Sequence, residues 1–112
     1  MATPKFLQNK EGPEAKIQRE LILFLQQRRW IVKETHGNLY QSGFPDLYAT
    51  NRIYGPRWIE CKNPLNYKFT NAQLRDFPVL CANGSPIWIL TAATEEEYQK
   101  LFRPYNWYQY LK

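Results

Sequence analysis

From Pro13 to about Arg29, apolar residues fall at Ile17, Leu21, Phe24 and Leu25, the i, i+4, i+7, i+8 spacing of an amphipathic helix with one buried stripe. Pro13 suits its first turn, where a missing N–H costs nothing. The period then changes. "WIVKETHG" (30–37), "DLYAT" (46–50) and "RWIECK" (57–62) are short, β-rich runs, and the last two are separated by the turn-like "NRIYGP". These predict three strands. A second helix is expected from Thr70 to about Ala82, opened by Thr70-x-x-Gln73 in the form of a capping box, with Pro78 kinking or shortening it. "PIWILTA" (86–92) predicts a fourth strand, and "TEEEYQKLF" a third helix opened by a second box-like pair, Thr94-x-x-Glu97. The order is helix, three strands, helix, strand, helix. Its strand–helix–strand step implies a parallel crossover in a mixed sheet.

At 112 residues the chain is expected to form a single domain: a loose leader over 1–11, a core over 13–92, and a C-terminal helix with an aromatic tail over 94–112. The tail "RPYNWYQYLK" is too aromatic to be left in water, so packing or a dimer interface is expected for it, with stacking of Tyr105, Trp107, Tyr108 and Tyr110 on unpaired bases as the alternative. No run of about 18 apolar residues suggests a membrane span. The first residues lack an apolar stretch before a small-residue cleavage site, so a cytoplasmic location is expected. Cys61 and Cys81 have no metal-ligand spacing and are expected to be reduced thiols. A net charge of +5 makes a polyanion a plausible partner.

The strands carry charges where burial is expected. In "RWIECK", Trp58, Glu60 and Lys62 share one face, and Ile59 and Cys61 share the other, toward the core. If "NRIYGP" closes a hairpin centred near Ile53, Asp46 falls opposite Glu60, whereas a one-residue slip destroys the pairing. Two adjoining carboxylates repel each other and need compensation, which Lys62 and a hard divalent cation supply. Glu14 lies three residues before Ile17 and seven before Leu21, so it continues the buried stripe, with Gln18 one turn further on the same side. Each residue also has an ordinary reading: Asp46 as a strand start, Glu60 and Lys62 as a solvated face, Glu14 as an anion at a helix N-terminus. The conjunction is what favours a site.

At these residues the chain resembles the PD-(D/E)XK nuclease superfamily, through Pro45-Asp46 and Glu60-Cys61-Lys62. More narrowly it resembles the VRR-NUC branch, with small stand-alone members in phages and bacteria, through Glu14-x-x-x-Gln18, "SGFPDL" (42–47), "RWIECK" and Thr70-x-x-Gln73. The resemblance implies an α/β, restriction-endonuclease-like αβββαβ(α) core with a four-stranded mixed sheet flanked by helices. It implies a catalytic set of Glu14, Asp46, Glu60 and Lys62. Asp46, Glu60 and the backbone carbonyl of Cys61 would bind magnesium or manganese, Glu14 would join directly or through water, and Lys62 would position the attacking water. Gln18, Gln73, His36, Lys68 and Arg75 are accessory or DNA-contacting candidates. For Gln73 a capping role weighs equally, and for His36 and the two cations an incidental role stands beside the functional one. Cys61 is read as core and not as a nucleophile. The implied activity is metal-dependent DNA endonuclease cleavage, selective for branched DNA such as Holliday junctions, by a homodimer in the cytoplasm, or the host cytoplasm for a phage protein. The alternatives are a less selective nicking or restriction-like deoxyribonuclease and a non-catalytic DNA-binding subunit.

Overall fold

The computed structural model describes residues 12–35 and 43–111. The leader, His36 and Ser42 therefore lie outside the described residues. Helix α1 (Pro13–Gln27) begins with Pro13 in its first turn and buries Leu21 and Leu25 completely. It stops because Arg29 adopts a left-handed backbone (φ 70°), unusual for a side chain of this size, and turns the chain into β1 (Ile31–Glu34).

Strands β2 (Leu47–Asn51) and β3 (Gly55–Cys61) form an antiparallel hairpin with Leu47 opposite Ile59, Tyr48 opposite Trp58 and Asn51 opposite Gly55. The centre is Ile53, as the sequence predicts. Asn51 builds the turn by accepting from the N–H groups of Ile53 (2.8 Å) and Tyr54 (3.3 Å), and Gly55 supplies the positive φ of 81° that closes it. β1 pairs antiparallel with β2, and β4 (Ile87–Leu90) pairs parallel with β3, so the sheet is mixed and ordered β1-β2-β3-β4.

Helix α2 (Asn71–Ala82) makes that crossover. Its capping box is complete, with both reciprocal bonds between Thr70 and Gln73. Pro78 does not shorten it as expected. Pro78 and Leu74 are both exposed, so the carbonyl that loses its helical donor belongs to the solvent-facing side of the helix. The third helix is shorter than expected: α3 (Glu95–Gln99) tightens at once into a 3-10 turn, Lys100–Phe102. Its box is only half formed. Thr94 accepts from Glu97 N, but the Glu97 carboxylate accepts from Thr91 instead, at its N–H (2.9 Å) and hydroxyl (3.0 Å).

Each face of the sheet carries a packed layer. Leu21, Leu25, Leu47, Ala49, Ile59, Cys61, Leu90 and Leu101 fill the layer under α1 and α3, and Phe77, Ile87, Ile89 and Trp107 the layer under α2. Trp107 belongs to a final 3-10 turn, Trp107–Tyr110, so the aromatic tail packs against the protein. Cys61 and Cys81 are free thiols. No helix among the described residues is long and apolar enough to cross a membrane.

Candidate active site

The hairpin register carries Asp46 to Glu60. The pair sits one step beyond Leu47–Ile59, and the carboxylates are tied across the strands: Glu60 Oε1 accepts from Asp46 N at 3.1 Å, and Asp46 Oδ2 accepts from Cys61 N at 2.8 Å. Pro45 is buried beside them, its carbonyl accepting from the Thr35 hydroxyl, while Thr35 N donates to Asp46 O at 3.0 Å. Glu60 on β3 and Thr35, just past β1, thus hold the Asp46 backbone from both sides.

Glu60 and Lys62 are each 2% exposed, which removes the solvated-face reading. They face α2. Lys62 Nζ lies 3.1 Å from Glu60 Oε2, donates to Gln73 Oε1 at 3.1 Å and to the Lys68 carbonyl at 2.6 Å, and sits 4.6 Å from the Phe69 ring centroid. Gln73 Nε2 donates to Glu60 Oε2 at 2.8 Å. The amide therefore caps the helix and also bridges the two charged side chains: its oxygen accepts from Thr70 N and Lys62, while its nitrogen donates to Glu60. Burial, reinforced by the Asp46 carboxylate, pushes the Glu60 carboxyl up to about 8, against the opposing pull of Lys62 and Gln73. A buried acid in this position gains most from a cation.

Glu14 reaches the same end of the sheet from α1, its Oε2 accepting from Asn63 N at 3.4 Å. Cys61 is fully buried on the opposite face of β3, and burial together with the Asp46, Glu60 and Glu14 carboxylates raises its thiol pKa, which fits core and not nucleophile. Gln18 stays apart, donating to Glu34 Oε1 at 3.0 Å on β1. Lys68 contributes its main-chain carbonyl while its side chain is exposed. Arg75 is exposed and held by Asp76 at 2.7 Å and 3.0 Å, a pairing that raises the Arg75 pKa and lowers that of Asp76. Phe69, beneath the ammonium, was missed. Its signal was its place immediately before the Thr70 cap, where a hydrophobic residue folds back on the helix.

Among the described residues no group of three or more His, Cys, Asp or Glu forms a preassembled metal site. The donor chemistry nevertheless fits a hard divalent cation. Asp46 and Glu60 are adjacent oxygen donors in a place that disfavours their joint charge, and magnesium takes one or two protein carboxylates and fills its shell with water and phosphate oxygens.

No protein-family model matches the chain, and no curated protein matches it either. Among solved structures, one described as "VRR_NUC domain" matches over 85% of this chain and 100% of its own, at 18% identity and a TM-score of 0.64. That likeness shows that this chain shares the α/β fold of the VRR_NUC domain structure.

Proposed function

We propose that this chain is a metal-dependent DNA endonuclease that hydrolyses phosphodiester bonds. The observation that carries the reading is the convergence of Asp46, Glu60 and Lys62 on one sheet face, with Gln73 bonded to two of them, in a chain with a nuclease fold. A structural ion pair would not need Asp46 beside Glu60, which only makes the ionised glutamate more costly.

Asp46, Glu60 and the Cys61 carbonyl would hold magnesium or manganese, with Glu14 joining directly or through water. Such an ion polarises a phosphate oxygen and acidifies bound water. Lys62 supplies a fixed positive charge where negative charge develops on phosphate. Its three N–H donors are turned toward Glu60, Gln73 and Lys68, so a bond to phosphate or to the attacking water replaces one of these. Gln73 then orients whichever partner remains. Branched DNA is the proposed preferred substrate and a homodimer the proposed working form, both extending the VRR-NUC resemblance.

The test incubates purified protein with duplex, flap and four-way-junction DNA in magnesium, manganese or EDTA. Cleavage should require metal and be greatest on the junction. Asp46→Asn, which keeps an acceptor for Cys61 N, should lose activity by roughly a hundredfold or more while remaining folded. Lys62→Met should bind but not cut. Undiminished cutting by both variants rejects the assignment, and binding without cutting by the wild type supports the non-catalytic alternative.

A further inference from the structure

The sheet face that carries Asp46 and Glu60 is covered unevenly. α2 and Trp107 close it over β3 and β4, where Ile87, Ile89 and Phe77 are fully buried. Toward β1 it opens: Lys33 is exposed and Ile31 is 63% exposed, with no described helix over them. The row of opposed residues next to Asp46–Glu60 is Lys33–Tyr48–Trp58, one residue from each of three strands. Residues two apart on a strand share a face and lie about 7 Å from each other, so this row runs beside the candidate site.

Its aromatics form a continuous surface. Tyr48 and Trp58 have ring centroids 4.9 Å apart, and Phe44 stacks on Trp58 at 5.9 Å with planes 29° apart. All three are only partly buried, unlike Phe77 and Trp107 in the core behind them. Trp58 also packs against the cluster of Phe77, Ile87, Ile89 and Trp107, which anchors this surface and leaves its partly buried rings beside the buried carboxylates. The tail, by contrast, is largely committed: Trp107 is buried, and Tyr110 accepts from Lys100 Nζ at 2.9 Å and packs on Tyr67.

We infer that Phe44, Tyr48 and Trp58, with Lys33 at the edge of the row, form a platform that stacks an unpaired DNA base beside the phosphate presented to Asp46 and Glu60. This rests on the nuclease reading and names what distinguishes its substrate: a strand locally free of its complement. A base offers a flat apolar face whatever its identity, and the ammonium of Lys33 suits the neighbouring phosphate, so the platform selects unpaired structure without selecting sequence. An intact duplex keeps its bases stacked on each other and cannot use it.

Binding is measured in EDTA by anisotropy of labelled DNA, comparing a fully paired duplex with the same duplex carrying a short unpaired stretch. The wild type should prefer the unpaired form. Tyr48→Leu and Trp58→Leu should each lower that preference roughly fivefold or more. Tyr48→Phe, which keeps the ring, should retain it, and so should Tyr108→Leu on the far edge. A structural role would weaken both DNAs equally, and that result, or an unchanged preference, overturns the platform. Should the leucine variants not fold, quenching of wild-type tryptophan fluorescence by oligothymidylate, largely lost in Trp58→Phe, decides the matter, and quenching unaltered in that variant rejects it. Cleavage by a protein with no preference for unpaired DNA overturns the platform alone. A ring-dependent preference in a protein that never cuts keeps the platform and overturns the nuclease reading.

Discussion

Glu60 is the residue of the candidate site at which charge and burial meet. Its folded pKa lies above the ordinary carboxylate value, so the folded state binds its proton more tightly than the unfolded state does. The stability tied to that proton is fully present below the ordinary carboxylate range and is lost as pH rises through about 8. In EDTA, Glu60→Gln should therefore gain on the wild type as pH increases, by up to a few kcal/mol between pH 5 and pH 8.5. Urea midpoints at the two pH values check this, and a difference that is constant or shrinks with pH rejects it. Asp46, Glu60 and Lys62 were legible because the strand period and a hairpin centred on Ile53 determine which side chains oppose each other. Gln73 was half legible: the capping pattern located it at the start of α2, but only the packing of that helix over β3 brings its amide between Glu60 and Lys62. Gln18 shows the limit of helical phase alone. It is one turn from Glu14, yet β1 passes close enough for Glu34 to engage it.

Strand β4 is the element whose stability the sequence concealed. It is an edge strand, and four consecutive buried residues make it a hazard if its outer side is left unpaired. Asn106 closes it. Its Oδ1 accepts from Ile89 N at 2.6 Å and its Nδ2 donates to Ile89 O at 3.2 Å, so a side-chain amide takes the place of a neighbouring strand. Asn106→Ala leaves two buried backbone groups without partners, at roughly 1–3 kcal/mol each before relaxation, and should lower the urea midpoint and increase aggregation on heating. A stability change within about half a kcal/mol would mean that water replaces the amide. The strands and helices could be located from their periodicities, and the packing of the tail was expected from its aromatic content. Asn106 could not be identified, because its role depends on β4 being an edge, a property of topology. The half-formed cap at Thr94 has a similar cause: Thr91, just after β4, competes for Glu97 through a contact that no local pattern encodes.

Across the whole molecule, the +5 charge favours a polyanion without saying where it docks. The surroundings of the site divide the cations the sequence proposed. Lys68 has an exposed side chain, and its own carbonyl receives the Lys62 ammonium, which places it at the rim of the buried cluster. Arg75 donates from Nε and Nη2 to the two carboxylate oxygens of Asp76, so much of its field is cancelled before DNA approaches. Binding of duplex DNA, measured in EDTA over a range of salt, should therefore respond unequally to their loss. Lys68→Ala should reduce the magnitude of the log–log salt slope by about one, the signature of one phosphate contact. Arg75→Ala should change it by much less, because a guanidinium already bonded to Asp76 has no phosphate contact to lose. Asp76→Asn, which frees the guanidinium while leaving the backbone undisturbed, should then steepen the slope. Equal effects of the two alanine variants, or no gain from Asp76→Asn, would mean that Arg75 leaves its partner for DNA, and the rim of the site would extend along α2.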